Sequence, residues 1–253
     1  MIYDLQKASM WKRISAFLFD LILLSIVSVL FAWALSKALG YDRYQTALQD
    51  RRTYFGQEYG VNLEMPLSEY DQLTEEENKL LETAYDALSA DPAAVKAYGM
   101  IVQLTILITS FSLLLGYLVM EFFIPMRQGN GMTLGKRIFG LGVMQTDGVK
   151  ITNVLLFVRA ILGKYAIETM IPAFIVMMLF WGSIGIVGLI VLGLILIVEA
   201  AVMISTPTNS LIHDLLANTV VVDYASQMIF ETREDMIHYK EKIHAEMAAK
   251  QEY

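Results

Sequence analysis

Cysteine is absent from this 253-residue chain. Disulfides and thiol chemistry are therefore excluded, and the redox compartment cannot be read. Histidine is scarce: His213, His238 and His244 are the three present, and they lack the spacing of zinc ligands. There is no basic excess. The formal net charge is −7, which argues against a nucleic-acid partner. Prolines number only five, and no internal repeat or low-complexity tract is found.

What is plentiful is apolar sequence. The hydrophobic share is 56%, above the roughly 45–50% usual for globular chains, and it is concentrated in long uncharged runs. Four runs, near 14–36, 98–123, 160–181 and 184–205, approach the roughly 20 residues that a bilayer crossing requires. The first is too long for the roughly 7–15-residue core of a cleaved signal peptide, so it reads as a retained helix. Pro172 is expected to kink the third run. The last two are separated only by Gly182 and Ser183 and should form an antiparallel hairpin. The expected fold is thus an all-α polytopic membrane protein with four transmembrane helices.

Basic residues orient it. Lys7, Lys12 and Arg13 precede the first span, against the single acid Asp4. Arg127, Lys136, Arg137, Lys150 and Arg159 lie between spans two and three, against the single acid Asp147. Both segments should be cytoplasmic, which places both termini in the cytoplasm of a multi-pass cell-membrane protein. The expected organisation is a cytoplasmic N-terminus and first span (1–36), an extracytoplasmic helical insertion (37–97), a second span (98–125), a cytoplasmic loop (126–159), a helical hairpin (160–206) and a cytoplasmic tail (207–253).

The insertion carries twelve acids and six bases. Thr74 and Glu77 predict a capping box. Leu80, Leu81, Ala84, Tyr85 and Leu88 follow at helical spacing, and Asp91-Pro92 reads as an N-cap with proline at the first helical position. In the cytoplasmic loop, Asp147-Gly148 between alternating residues predicts a β-hairpin pairing 142–146 with 149–152, and Thr219-Val-Val-Val222 offers a third strand. The tail from Thr232 reads as a polar helix. Ile229, Met236, Ile243 and Met247 give it a thin apolar seam.

Charges inside the apolar runs carry the functional argument. Asp20 lies seven residues after Arg13, on the same helix face but about 10.5 Å along the axis, too far for direct pairing. Glu121, Lys164, Glu168 and Glu199 sit at similar depths, roughly 7–14 Å inside the inner interface. Lys164 and Glu168, spaced i,i+4, are expected to pair with each other. Asp20, Glu121 and Glu199 would then be three carboxylates without a cation. Carboxylates are costly in hydrocarbon and should face a shared polar cavity. Buried polar residues also act as plain helix glue.

Three stretches together resemble the RDD family of bacterial integral membrane proteins. They are Arg13 through Asp20, the segment Gly131-Met-Thr-Leu-Gly-Lys-Arg-Ile-Phe-Gly-Leu-Gly-Val143 with Asp147-Gly148, and His213-Asp-Leu-Leu-Ala-Asn-Thr-Val-Val-Val222. The resemblance matches Arg13, Asp20 and Asp214 to the family's namesake residues. It leaves out residues 37–97 and the tail after Asp223, and Asn218 stands where a glycine is common. It implies a transporter of undefined ligand, with sodium/proton antiport proposed for some members.

The expected function is transport or binding of a small cation, with optional proton coupling. Asp20, Glu121 and Glu199 would be ligands or proton carriers, Glu168 and Lys164 would set their charge state, and Arg13 and Arg159 would be cytoplasmic charge partners. The metal, if any, is unassigned. No cofactor is expected, and no catalytic constellation. Asn130 and Arg137 break any phosphate-loop pattern, leaving Lys136 and Arg137 as expected inner-leaflet anchors. His213-Asp214 is expected to start a helix or to partner Arg159. The alternative is a non-transporting subunit or scaffold that recruits a partner protein through 37–97 or the tail. Expected partners are the lipid bilayer, a small cation or proton, and either a second copy or another membrane protein.

Overall fold

Apolar runs of this length can satisfy their backbone only as helices. A computed structural model describes residues 5–70 and 73–251; Asp4 lies outside the described residues. Among the described residues three helical rods are long and apolar enough to cross a membrane. Helix α1 is Met10–Leu39. The second rod, Pro92–Gln128, joins α5 (Pro92–Tyr117), a π-helical stretch (Leu118–Phe123) and α6 (Ile124–Gln128). The third is α10, Gly185–Ser205. The run expected as another span is divided. It consists of α8 (Asn153–Phe157), a π-helical stretch (Val158–Met170) and α9 (Ile171–Phe180).

Both π-helical stretches end just before an Ile-Pro pair, Ile124-Pro125 and Ile171-Pro172. The proline has no N–H to donate, and its ring crowds the carbonyl one turn back. Widening the preceding turn relieves both problems. Pro172 thus ends a widened segment and stands in the first turn of α9. Gly182, at φ +67°, turns the chain from α9 back into α10, and the two helices pack together.

The chain forms two compact units, one of residues up to Ser28 with those from Leu113 onward, the other Val29–Ser112. In the latter, α2 (Tyr41–Tyr59), α3 (Leu67–Tyr70) and α4 (Glu75–Ala90) surround Leu48, Leu63, Leu81, Ala84 and Leu88. Thr74 and Glu77 form the reciprocal capping box. Asp91 caps α5 by accepting from the Ala94 N–H at 2.7 Å, and Arg51 grips it at 2.7 and 3.0 Å. Of the α4 face expected to be apolar, Leu80 and Tyr85 stay exposed.

In the other unit, α7 (Leu134–Ile138) leads into β1 (Leu141–Gln145). Strand β1 pairs antiparallel with β2 (Thr219–Asp223), Val143 opposite Val221. The expected hairpin arm at 149–152 is reduced to a single bridge, Met144 to Lys150, around a tight turn in which the Gly148 N–H donates to the Gln145 carbonyl. Residues 148–150 instead bond to Phe230, whose ring packs with Val149 and Met236. Met236, on α12 (Arg233–Gln251), and Ile229 are thereby used inside the fold, so half of the tail's apolar seam is already covered.

Helix α11 (Ile212–Leu216) lies directly on the long π-helical stretch. Gly163 makes this approach possible. A Cβ added there would lie 2.5 Å from His213 Cβ and 2.6 Å from its Cα. Gly163→Ala is expected to push α11 away and cost about 1–3 kcal/mol of stability. Thermal unfolding of the detergent-solubilised protein measures this. An unchanged midpoint would show that the two segments are not held at this distance.

Candidate functional site

The carboxylate in the first apolar run is held by backbone and hydroxyl. Asp20, 7% exposed, accepts from Gly135 N–H at 2.7 Å and from Thr133 Oγ1 at 2.5 Å. Thr133 is the N-cap of α7, and its hydroxyl also accepts from Lys136 N–H. A helix start offers unpaired N–H donors, so a buried carboxylate finds hydrogen bonds there without a cation. Gly135 is required for the fit, because a Cβ would collide with the Ala16 carbonyl and the Asp20 carboxylate. Asp20 therefore docks the 129–140 loop onto α1 and does not pair with Arg13.

Arg13 reaches another partner. Its guanidinium donates to the Thr208 carbonyl at 3.1 Å and lies 3.8 Å from Asp214. Asp214 is fully buried and takes its main bond from Arg159 Nε at 2.9 Å. Burial alone would raise this carboxyl's pKa, but the Arg159 charge outweighs it and holds the group well below the usual range. The second Asp214 oxygen has no hydrogen bond. It lies 3.5 Å from His213 Nε2.

His213 has a defined tautomer by elimination. Arg159 can only donate, and its NH2 lies 3.1 Å from His213 Nε2. Nε2 is then the acceptor, so the proton is on Nδ1, which donates to Glu168 at 2.7 Å. Burial, the largest cause, lowers the imidazole's pKa, in keeping with a neutral ring. The His213 backbone N–H donates to the same Glu168 at 2.8 Å. Glu168 is thus committed to His213, and the expected Lys164–Glu168 pair is not formed. Lys164 donates instead to Glu121 at 2.6 Å. The i,i+4 rule presumes an α-helix. Both residues lie in the π-helical stretch, and the two His213 bonds occupy Glu168.

These groups line one cavity of about 460 Å³. Asp20, Glu121, Lys164, Glu168 and Glu199, the five charges singled out in the apolar runs, all contribute to it, as do Arg13, Lys136, Arg159, His213 and Asp214. Five acids face four bases, so the lining is close to neutral when His213 is neutral. Glu199, half-buried on α10, makes no hydrogen bond or ion pair among the described residues. Lys136 is the opposite case. It is expected from sequence to be an inner-leaflet anchor, yet it is 7% exposed and among the described residues its amine bonds only Thr133 Oγ1, at 3.4 Å, while Arg137 beside it stays in the open. Burial and the neighbouring Lys164 push the Lys136 amine down to about 7, with Glu121 pulling the other way.

Sequence reasoning missed Thr133, Gly135 and Lys136 as site residues. The signal was present in Thr133-Leu-Gly-Lys136, a threonine N-cap opening a short helix. Its acceptor lay more than a hundred residues away. If Asp20 holds this loop, Asp20→Ala should speed amide hydrogen exchange at Gly135 and Lys136 by about tenfold or more. Asp20→Asn, which keeps one acceptor oxygen, should cause a smaller change. Equal exchange in all three proteins would show that the loop is held by something else.

No curated protein matches the chain, and no solved structure does. A family model does: that of the RDD family matches residues 7–218, taking in the cavity and every charged group around it. With its three long apolar helices, the chain is a membrane protein and belongs to the RDD family.

Proposed function

We propose that the protein binds and transports a small cation through this cavity, with a proton as the counter-ion, and that it is not an enzyme. The observation that carries the reading is the convergence of the buried charges on one cavity, in which a carboxylate, Glu199, and a cation, Lys136, have no oppositely charged partner among the described residues. A carboxylate without a partner is a cation site. A buried amine that titrates near neutrality is a proton site. The two oppose each other. While Lys136 is charged it repels an incoming cation; once neutral it does not. Binding of cation and proton is then mutually antagonistic, which is the linkage that exchange requires. Asp20, Glu121 and Glu168 have structural partners in this reading, and Glu199 takes the role of ligand.

In this reading the divided helix 153–180 is the fourth span, residues 37–97 are extracytoplasmic, and both termini and the β element are cytoplasmic. Reporters fused after residue 60 should read outside, and those after residue 145 or 230 inside. An inside signal at residue 60 would reverse the orientation.

Flux into liposomes containing the purified protein, under an imposed pH gradient, tests the function. Cation binding should strengthen as pH rises through about 7, because Lys136 loses its charge there. Lys136→Met should flatten that dependence, and Glu199→Gln should weaken cation binding by about tenfold or more at every pH. A pH profile unchanged by Lys136→Met would assign the proton to another group. Flux that survives Glu199→Gln would place the cation elsewhere.

A further inference from the structure

The cavity is large and mostly apolar for a bare ion. Its volume of about 460 Å³ compares with roughly 30 Å³ for one water, and it falls in the roughly 300–1,000 Å³ range of small-molecule sites. Hard metal cations gather six or more oxygen ligands at once. The carboxylates here cannot be gathered: Asp20 is held by Thr133 and Gly135, Glu121 by Lys164, Glu168 by His213 and Asp214 by Arg159. Among the described residues no three acidic or histidine side chains are grouped to hold a metal ion. Glu199 alone remains open, and one carboxylate is a counter-ion, not a coordination shell.

The apolar part of the cavity lining is hydrocarbon and aromatic. Phe17, Leu21 and Leu24 come from α1, Tyr117 from α5, and Met203 from α10. Met203 lies one turn after Glu199, so the carboxylate and an apolar, adaptable thioether share one helix face. The rings can receive a cation over their faces. We infer that the occupant is a monovalent organic cation, an ammonium or an aromatic nitrogen cation with an apolar body, its charge set against Glu199 and its body against the α1, α5 and α10 walls. This rests on the cation reading above and names the ligand class for that site.

The test uses the full chain in nanodiscs and three probes: ethidium, tetramethylammonium and sodium. Ethidium fluorescence should show saturable binding. Tetramethylammonium, with the charge but little apolar body, should displace ethidium with an inhibition constant about tenfold or more above ethidium's own Kd, and sodium should not compete at matched ionic strength. Glu199→Gln, nearly isosteric, should weaken ethidium by about tenfold or more. Sodium that binds in a Glu199-dependent manner while ethidium does not would overturn the organic-cation inference and leave the cation reading standing. If none of the probes binds the folded protein, both fail. Ethidium binding that is indifferent to Glu199→Gln would also overturn the inference. The order of the three probes on the unaltered protein needs no variant to fold.

Discussion

Asp214 and Arg159 form a buried ion pair that the architecture around the cavity cannot do without. Both side chains are almost completely enclosed, and they join α11 to the long π-helical stretch. Removing one partner of such a pair costs about 3–5 kcal/mol, because the other charge is stranded out of water. The pair also fixes what surrounds it. Arg159 turns its second nitrogen to His213, His213 donates its Nδ1–H to Glu168, and Arg13 closes on Asp214 from α1. Elements from the beginning, middle and end of the matched region are thereby tied to one carboxylate, while Gly163 lets α11 come close enough for the contacts to form.

A second carboxylate performs a parallel task with different chemistry. Asp214 is neutralised by a guanidinium, whereas Asp20 is satisfied by a hydroxyl and a backbone N–H at the start of α7. The two aspartates that the RDD resemblance picks out therefore each anchor a segment lying outside the three long apolar helices, α11 in one case and the 129–140 loop in the other. What remains for a ligand is the residue of this pairing. Every acid lining the cavity except Glu199 has a protein donor, and Lys136 lacks any acid within ion-pair distance among the described residues.

Much of this was legible in the chain. The apolar runs announced their helices by length alone. The Thr74–Glu77 box and the Asp91 cap form as local chemistry requires, because their partners lie within three residues. The grouping of five charges from the apolar runs on one cavity is what the cost of leaving any of them in hydrocarbon predicts. Their pairing did not follow. Lys164 pairs with Glu121, and Glu168 is taken by the backbone and ring of His213, which lies about forty-five residues further on. The 149–152 arm gives up its hairpin for Phe230, a competitor about eighty residues further on. Lys136 and Arg137 both read in sequence as inner-leaflet anchors, and only tertiary packing buries the first and leaves the second exposed.

The π-helical stretches tie these points together. Glu121 lies on the first, and Arg159, Lys164 and Glu168 on the second. A widened turn advances side chains by a different angle from an α-turn, so it can aim groups at one cavity that regular helix would spread around its circumference. The prolines at 125 and 172, which a regular helix could accept only with a kink, stand at the ends of these stretches. Wide winding, proline position and charge placement are thus a single arrangement. The backbone irregularity that prevents residues 153–180 from forming one regular α-helix is also what brings Arg159 within reach of Asp214 and Lys164 within reach of Glu121. A regular α-helix through 158–170 would keep the same residues and the same hydropathy, yet spread these charges around its circumference, away from the partners they have here.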